Sequence, residues 1–342
     1  MILFYQEEFT IHFKNMNIAV VGAGFAGLAF AWYYSLLNPS DKITVFDPKP
    51  ISQRASSLAF LLHPFIHPKS KLNWEGWNAF NKAEELLLQA STFTDQPFCL
   101  KRPFLKIANN PNLIIPYQKT AQNNPEVSWV ESTEFGHPGI WIERAYQLRS
   151  DLYLKALEKG CSSRGVQFSS KQFDSSDLFD QVLLAKGNQV TQDLDLSFSE
   201  VKGQVLKVKW PSKSFNLPHA VTAHKCHLVP SFDQKTLMIG STYEREFTSN
   251  APDREEALKR LLPHLEGILP QFDQKDILLV SSGIRLNAPN RLPLLGKLNE
   301  KTWIFSALGS KGLLYHAYLG QKLAEAFLSQ TETSLPKELL IN

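Results

Sequence analysis

The first strong feature of the hydrophobic pattern is a short apolar run that ends in a glycine-rich turn. Residues Ile18–Val21 are all apolar, which is typical of a buried parallel strand. The turn after this run has glycine at its first, third and sixth positions, namely Gly22, Gly24 and Gly27. An apolar-rich segment then predicts a helix, and a second apolar run, Ile43–Phe46, predicts a neighbouring parallel strand. The pattern therefore predicts a strand–turn–helix–strand unit near the start of the chain.

Two kinds of pattern alternate along the rest of the chain. Helical spacing of apolar side chains predicts long helices at residues 71–90, 142–159 and 313–328. Short apolar runs separated by proline and polar residues predict antiparallel strands at residues 104–107, 113–115 and 127–130. Clean apolar–polar alternation predicts further antiparallel strands at residues 203–210, 227–230 and 237–242. We also expect strands at residues 165–168, 180–187, 277–283 and 303–307. Residues 251–253 are expected to open a helix that runs to about residue 262.

The order of these segments predicts an α/β protein with two interleaved domains. Residues 16–75, 140–200 and 284–342 are expected to form a Rossmann-like nucleotide-binding domain. Residues 76–139 and 201–283 are expected to form a second domain on a discontinuous, mainly antiparallel β-sheet. Residues 1–15 are expected to be an N-terminal extension, and either translation starts at Met16 or these residues add an edge strand.

Composition and charge exclude several classes of protein. The chain has 342 residues, 43% of them hydrophobic, which is enough for a sizeable core and about two domains. A net charge of +3 gives no overall electrostatic footprint for nucleic acid, although a local patch is compatible with it. The three cysteines are far apart and odd in number, which favours a reducing, cytoplasmic location without a disulfide framework. No apolar run reaches about 18 residues and no His/Cys spacing suits a metal, so we expect neither a membrane partner nor a bound metal.

The first glycine-rich turn has the chemistry of a dinucleotide site. Gly22 permits the tight turn, Gly24 lets the backbone approach a pyrophosphate, and Gly27 lets helix and strand pack closely. The N-terminus of the following helix offers unpaired N–H groups to phosphates. Asp47 ends the second strand about 20 residues later, where a ribose-binding carboxylate is expected. We therefore predict an adenine dinucleotide site; the alternative is a glycine-rich turn without a ligand.

Further candidate residues follow other predicted strands. Ser56 and Ser57 come after the predicted ribose-binding acid, and they either cap the next helix or bind the pyrophosphate. Gly187 ends a buried strand, where glycine allows a close approach of the backbone to a ligand. Residues Gly309–Leu313 form a second glycine-rich strand-to-helix turn, so a second helix N-terminus faces an anionic group.

In this order the motifs resemble those of the D-amino-acid oxidase superfamily of FAD enzymes, especially its glycine-oxidase branch. Residues Gly283–Gly296 resemble the family's G-x-R-x4-D-x2-P-x2-G, with Arg285 at the arginine and Asn290 in place of the aspartate. Residues 309–313 resemble the glycine-rich turn beside the flavin. Residues 61–64 and 309–313 also resemble the oxidase half of a bifunctional enzyme family that modifies the wobble uridine of tRNA. The resemblance extends from Met16 to about residue 328.

The resemblance implies FAD as the cofactor and assigns it binding residues. Gly22, Gly24 and Gly27 would hold the pyrophosphate and Asp47 the adenosine ribose. The other FAD-binding residues that it implies are Ser56, Ser57, Val166, Gly187, Gly309, Ser310, Lys311, Gly312 and Leu313. Of these, the backbone of Val166 would contact the adenine side. The turn at Gly309–Leu313 would place N–H groups near the flavin N1–C2=O edge, where charge accumulates on reduction.

The resemblance also implies a reaction. Arg285 would bind a substrate carboxylate, which suits its planar guanidinium, and would hold the amine-bearing carbon over flavin N5. Hydride transfer to N5 would then oxidise the C–N bond of a small amine or amino acid, with oxygen as the expected electron acceptor. His63 is a candidate acid–base residue, and so are His67 and His316, because the free histidine side chain titrates near neutral pH. A structural role is the alternative for Arg285 and for each histidine.

Two other functions remain open from the sequence. In the first, Arg285 holds the carboxylate of a carboxymethylaminomethyl uridine in tRNA, from which the chain would remove the carboxymethyl group. The second is a flavin-binding protein without turnover, suggested by Asn290 at a position where relatives have aspartate. A dehydrogenase that uses only nicotinamide would leave the motif at Gly283–Gly296 unexplained. The sequence leaves the oligomeric state, the substrate and its chirality open.

Overall fold

The structure, a computed structural model, describes residues 15–192, 196–212, 215–223, 225–266, 268–269 and 273–341. The predicted N-terminal extension therefore lies almost wholly outside the described residues. The α-helices are α1 Phe25–Leu37, α2 Gly76–Ser91, α3 Ile114–Asn123, α4 Ser150–Ser162, α5 Arg254–Leu261 and α6 Gly312–Leu328. The strands are β1 Asn17–Val21, β2 Lys42–Phe46, β3 Leu61–Leu62, β4 Cys99–Lys101, β5 Phe104–Ile107, β6 Val127–Val130, β7 Gly139–Ile142, β8 Tyr146–Leu148, β9 Gln167–Ser169, β10 Gln181–Leu184, β11 Ser199–Lys209, β12 Ala220–Ala223, β13 Cys226–Pro230, β14 Thr236–Gly240, β15 Ile277–Asn287, β16 Leu294–Lys297 and β17 Thr302–Ser306.

The first sheet has six strands in the order β16-β17-β10-β1-β2-β9. The central strand β1 pairs in parallel with β2 and β10, so that Val21 is aligned with Phe46 and Leu184. The carboxyl ends of parallel strands meet at one edge of a sheet. The turn after β1, the acid after β2 and the glycine after β10 therefore lie along one edge. This arrangement confirms the predicted α/β class and its Rossmann-like strand pattern.

Helices cover one face of the first sheet. Ile18 and Val20 are fully buried in a core that they share with side chains of α1, α2, α4 and α6. Ala19 and Val21 point to the opposite face, as the two-residue period of a strand requires. Helix α2 packs against α4 and α6 and thus belongs to this layer, although the predicted boundary at residue 76 assigned it to the second domain. The predicted domain boundaries otherwise stay a prediction.

The second sheet has eight strands in the order β15-β11-β14-β13-β12-β5-β7-β6. All its neighbouring strands are antiparallel except β12 and β5, as a mainly antiparallel sheet was predicted. Its longest strands, β11 and β15, pair along their whole length, with Val201 opposite Arg285 and Gly203 opposite Gly283. Arg285 on β15 lines one cavity together with Gly22 and Gly187, which follow β1 and β10. The remaining strands form a small third sheet in the order β3-β8-β4.

Some local predictions were wrong. The apolar run at residues 113–115, predicted as a strand, ends a short 3-10 segment and begins α3. Its apolar side chains belong to a helix that buries only Tyr117 and Thr120, so the short run alone misled the prediction. The helix predicted from residue 142 begins only at Ser150, because β8 occupies the intervening residues. None of the helices in the described part of the chain is long and apolar enough to cross a membrane.

Candidate cofactor and substrate site

A cleft of about 380 Å³ lies at the carboxyl edge of the first sheet and reaches the second sheet. Both glycine-rich turns line it, and so do most of the residues predicted for the site. The predicted residues that line the cleft are Gly22, Gly24, Asp47, Ser56, His63, Gly187, Arg285, Gly309, Ser310, Gly312 and Leu313. Those that do not line it are Gly27, Ser57, Val166 and Lys311. The two turns, far apart in sequence, thus face one cavity.

The first turn is shaped by close backbone contacts. Gly22 has φ +110°, and a Cβ atom there would overlap the carbonyl oxygen of Ala185 at the end of β10. A Cβ atom at Gly27 would overlap the carbonyl oxygen of Gly22, since α1 passes directly over the turn. Gly27 therefore acts through packing, without lining the cleft. The first N–H groups of α1 have no partner within the helix, and they point towards the cleft lined by Gly24 and Phe25.

Asp47 is held beside this turn by a cation that the sequence analysis missed. The Asp47 carboxylate accepts a hydrogen bond of 2.9 Å from the amide of Ala23 and lies 3.3 Å from Nε of Arg54. Arg54 Nη1 donates to the carbonyl of Ala23 at 3.0 Å and to Glu158 of α4 at 2.5 Å. Arg54 thus fastens the acid, the turn and α4 together, and it lines the cleft itself.

The two predicted serines have different surroundings. Ser56 Oγ accepts a hydrogen bond of 3.3 Å from the amide of Phe25, so it lies at the N-terminus of α1 and faces the cleft. It therefore interacts with α1, not with the short 3-10 segment Ala55–Leu58 in which it sits. Ser57 Oγ instead donates to the carbonyl of Arg54 at 2.8 Å, within its own turn.

The second glycine-rich turn leads into α6 and, like the first, contains a glycine at which a side chain would collide with neighbouring atoms. Gly309 has φ +54°, and a Cβ atom there would overlap the amide oxygen of Asn287 on β15. Lys311 turns away from the cleft and donates from Nζ to the carbonyl of Arg291 at 2.6 Å. Gly312 and Leu313 begin α6 and line the cleft. The cleft is thus bordered by two helix N-termini, each with a partial positive charge.

Two predicted residues on the first sheet differ in their placement. Gly187 has φ +61° and lines the cleft just after β10, and its carbonyl accepts a hydrogen bond of 3.0 Å from Ser306. Val166 immediately precedes β9, whose register with β2 places Gln167 opposite Thr44. Val166 therefore lies at the end of the sheet opposite to Asp47. Gln172 and Phe173, which follow β9, line the cleft instead.

Arg285 projects from β15 into the cleft. Its Nη1 donates to the carbonyl of Thr242 at 3.3 Å, and its Nη2 donates to the hydroxyl of Ser241. Burial lowers the pKa of the guanidinium, while Tyr243 and Glu244 act in the opposite direction. An arginine has five N–H donors, so three of them have no partner among the described residues. Those three remain for a ligand in the cleft.

His63 lines the same cleft as Arg285, and its imidazole is uncharged at neutral pH. Burial lowers the pKa of His63 well below its usual value, and the charges of Lys106 and His227 lower it further. The amide of Phe65 donates to His63 Nδ1 at 3.3 Å, which leaves the proton on Nε2. His227 also lines the cleft, and burial lowers its pKa to about 3. Lys106, a buried amine whose pKa burial lowers to about 7, acts on both rings, and Arg285 acts on His227 as well.

The other two histidines lie outside the cleft lining. His316 is fully buried and joins the two helix N-termini: its Nδ1 contacts the carbonyl of Leu313 at 2.9 Å and its ring lies 5.2 Å from that of Phe25. Its Nε2 lies 2.7 Å from the hydroxyl of Tyr153, and burial lowers its pKa to about 4. His316 therefore has a structural environment. His67 is exposed, beside three exposed or half-exposed lysines.

Asn290 occupies the family's aspartate position but lies away from the cleft. Its side chain donates to the carbonyl of Glu338 at 3.0 Å and accepts from the amide of Leu292 at 3.0 Å. These bonds shape an exposed turn after β15. Replacing aspartate by asparagine here removes no charge from the residues that line the cleft, so Asn290 gives no structural reason to expect loss of turnover.

Sequence reasoning missed several residues that line or support the cleft. Gly203 lies inside β11, and a glycine within a strand signals a close approach of another group to the backbone. A Cβ atom there would lie within 2.6 Å of Arg285 Cζ. Lys106 is a charge inside an apolar run, which also could have been noticed. Ser241 and His227 carry no such signal, because only the pairing of β11, β13 and β14 brings them to the site.

The sequence profile of one family, described as "FAD dependent oxidoreductase" (DAO), matches residues 17–326. The chain belongs to the DAO family of FAD-dependent oxidoreductases. It is therefore an enzyme whose cofactor is FAD, as the resemblance to the D-amino-acid oxidase superfamily implied. The match includes both turns and Arg285, and it excludes only the two ends of the chain.

Named relatives and solved structures agree with this family. The "tRNA 5-methylaminomethyl-2-thiouridine biosynthesis bifunctional protein MnmC" of Leptospira interrogans serovar copenhageni is 23% identical over 382 residues, which cover 91% of this chain and 57% of the relative. This chain thus spans little more than half the length of that curated relative. Glycine oxidases from Geobacillus kaustophilus and Bacillus cereus have the same fold, each with a TM-score of 0.79, at 19% and 17% identity. Each alignment covers 96% of this chain and 99% of the solved one.

The residues of the cleft fit FAD. At Gly22 a side chain would collide with the end of β10, so the turn leaves backbone exposed where a pyrophosphate needs it. The carboxylate of Asp47 lies beside that turn, where a ribose hydroxyl can donate to it. At the other end, the N-terminus of α6 presents N–H groups towards the same cavity. An elongated, anionic dinucleotide matches this distribution of donors and acceptors.

Proposed function

We propose that this enzyme oxidises the C–N bond of a small amine or amino acid that carries a carboxylate, with oxygen as electron acceptor. The observation that carries the proposal is Arg285: its guanidinium lines the cleft with three N–H donors that have no partner among the described residues, next to the turn at Gly309–Gly312. A bidentate carboxylate is the ligand that this geometry suits best. The names of the glycine-oxidase neighbours support the same substrate class.

In this proposal the residues divide the work between cofactor and substrate. Gly22, Gly24 and Asp47 would hold the pyrophosphate and ribose of FAD, while Gly309–Leu313 would supply N–H groups near its flavin ring. When bound, FAD supplies the hydride acceptor. Arg285 orients the substrate through its carboxylate, which fixes the C–H bond that must be broken. His63 stays neutral in its buried position, so it serves as a hydrogen-bonding group and not as a fixed charge.

The test is anaerobic mixing of the purified yellow protein with a panel of amines and amino acids. The proposal predicts that the flavin absorbance bleaches with at least one carboxylate-bearing amine and that oxygen then restores the colour. Reduction by amines that lack a carboxylate, with none by those that carry one, would contradict it. A colourless protein that takes up no FAD would contradict the cofactor assignment as well.

A second candidate is oxidation of a carboxymethylamino group on the wobble uridine of tRNA, and a specific feature of the surface favours it. We call this surface the basic rim; it consists of His67, Lys69, Lys71, Arg291 and Lys311. Burial and the charges of Lys69, Lys71 and Lys311 lower the pKa of His67. Burial and the charge of Arg291 lower the pKa of Lys311. The five side chains therefore lie close enough together to interact electrostatically. The rim adjoins Ile66 and Ser310, which line the cleft.

Such a cluster is a local site for phosphates on a chain whose net charge is only +3. The relatives named MnmC support this interpretation, since their name includes tRNA 5-methylaminomethyl-2-thiouridine biosynthesis. In this candidate Arg285 keeps its role, because the nucleoside side chain also carries a carboxylate beside an amine.

Binding of labelled tRNA, followed by fluorescence anisotropy, separates the two candidates. Charge reversal of Lys69 and Lys71 should weaken binding and lower the slope of log K against log salt by about 0.7–0.9 for each phosphate that is no longer neutralised. Charge reversal of Lys207 and Lys209, two exposed lysines of β11, is the matched control and should have little effect. Equal losses of affinity in both double variants, or no tRNA binding by the wild type, would exclude this candidate.

A further inference from the structure

Within the described part of the chain, Arg285 has no acidic partner in direct contact. No carboxylate among the described residues lies within 4.0 Å of its guanidinium nitrogens. Burial lowers the pKa of Arg285, because it removes water from the charged guanidinium. A desolvated charge without compensation is costly. A direct ion pair would remove that cost, but it would also occupy the guanidinium donors that a substrate carboxylate needs.

Glu244, a buried carboxylate, lies behind Arg285 and is separated from it by a single residue, Thr242. Only 2% of Glu244 is exposed, and its charge raises the pKa of Arg285 without touching the guanidinium. The link between them is Thr242: its carbonyl accepts from Arg285 Nη1 at 3.3 Å, and its hydroxyl donates to Glu244 Oε1. Arg285 is therefore connected to a negative charge through a neutral residue.

The same carboxylate is fastened to β11. Gln204, which is fully buried, donates from Nε2 to Glu244 Oε1 at 3.0 Å, and its amide donates to the Thr242 hydroxyl at 2.8 Å. Its side-chain oxygen accepts from the amide of Asp253 at 2.6 Å, just before α5. The backbones of Glu244 and Lys202 exchange two hydrogen bonds of 2.9 Å. The segment that carries the Thr242 carbonyl is thus held on three sides.

We propose that Glu244 is the positioning residue for Arg285: through Thr242 it fixes the orientation of the guanidinium and balances its charge, while the substrate-facing donors stay free. This inference rests on the proposed function, in which Arg285 binds the substrate carboxylate. It adds to that site a residue that favours the binding of carboxylate ligands over neutral ones. Buried networks of this kind act as a unit, so the loss of one member misplaces the others.

The test uses two substitutions at one position and a matched pair of ligands. Acetate and acetamide have the same shape and differ in charge, and their binding is followed by the absorbance of the bound flavin. Glu244→Gln keeps an Oε1 acceptor for both Thr242 and Gln204 but removes the charge. Glu244→Ala removes the acceptor too. Glu246→Ala, an exposed glutamate two residues further along, is the control.

The two substitutions are expected to differ in their effect on acetate binding. Glu244→Ala should weaken acetate binding about 10-fold, the usual effect of losing a hydrogen bond to a charged group, and leave acetamide unchanged. Glu244→Gln should bind acetate as tightly as the wild type or more tightly, because a negative charge behind Arg285 is gone while the geometry is kept. Glu246→Ala should match the wild type. A merely structural role would weaken both ligands in both variants, and that result would overturn the inference.

Arg285→Ala, measured in parallel, separates this inference from the function on which it rests. If Arg285→Ala loses acetate binding and Glu244→Ala retains it, only the role of Glu244 is refuted. If Arg285→Ala itself binds acetate normally, the carboxylate assignment fails and the role of Glu244 fails with it. Should Glu244→Ala not retain FAD, Thr242→Val, which cuts the same link and preserves side-chain shape, must show the selective loss of acetate binding; otherwise the inference is overturned.

Discussion

Because Gly203 has no side chain, the guanidinium of Arg285 can lie directly against its backbone. The glycine is on β11, directly paired with Gly283 of β15. A Cβ atom added there would lie 2.5 Å from Arg285 Nη1 and 2.6 Å from Cζ, closer than atoms can approach. The colliding group is the far end of a long side chain and not backbone, so the arginine can move. Gly203→Ala should therefore displace Arg285 from the cleft and leave the sheet intact.

The size of the effect follows from the interaction that is removed. A hydrogen bond to a charged group contributes about 1.5–3 kcal/mol, so losing one bond between guanidinium and carboxylate should weaken a carboxylate ligand roughly 10- to 150-fold. Retention of FAD should be unchanged, since Gly203 lies at the substrate end of the cleft. The assay is titration of the flavoprotein with acetate and acetamide, together with the thermal unfolding midpoint. Only acetate should lose affinity.

A double-mutant cycle with Arg285→Ala is the control for this prediction. If Gly203→Ala acts through the arginine, it should have almost no further effect on acetate binding once Arg285 is alanine. Unchanged acetate affinity in Gly203→Ala would refute the reasoning. So would an additive loss in the double variant, because the methyl group would then act on something other than Arg285.

Three more predictions concern the cofactor site and its supports. Asp47→Asn should weaken FAD binding by about 1.5–3 kcal/mol, measured by quenching of FAD fluorescence, since the carboxylate charge beside the turn is lost; unchanged affinity would count against the ribose role. Gly27→Ala should lower the free energy of unfolding by about 1–3 kcal/mol in urea titrations, because its Cβ overlaps the Gly22 carbonyl; full stability would show that α1 can shift. His316 has a folded pKa of about 4, below the usual 6.5, so it binds its proton less readily in the folded state. Protonation of His316 should accordingly contribute ~3 kcal/mol to the stability that the wild type loses as pH falls from 6.5 to 4, and His316→Gln should lose less over that range by about this amount; identical pH profiles would refute this.

Local signals sufficed to predict the cofactor half of the molecule. The strand Ile18–Val21, its glycine turn and α1 are consecutive in sequence, so pattern and spacing describe the whole unit. Asp47 was found for the same reason, because it ends the neighbouring parallel strand. The helix after Pro252 was also predicted closely, from the early proline, the acids in its first turn and the basic residues Lys259 and Arg260 in its last turn.

Non-local contacts account for what the sequence did not reveal. Arg54 stands in a loop without a recognisable motif, and only the fold brings it to Asp47 and Glu158. Glu244 and Gln204 are polar side chains typical of exposed positions, yet they are almost fully buried because they bond to each other. The short apolar run at the start of α3 was compatible with either helix or strand, and packing decided between them.

The most direct test of the central claim compares wild type and Arg285→Ala in anaerobic reduction of the bound flavin by a carboxylate-bearing amine. The claim is that one cleft holds FAD between two glycine-rich turns and that Arg285 holds the substrate against it. It predicts that both proteins bind FAD and that only the wild type is reduced rapidly, with the variant slower by at least about 10-fold at subsaturating amine. Equal reduction rates in the two proteins would contradict the claim.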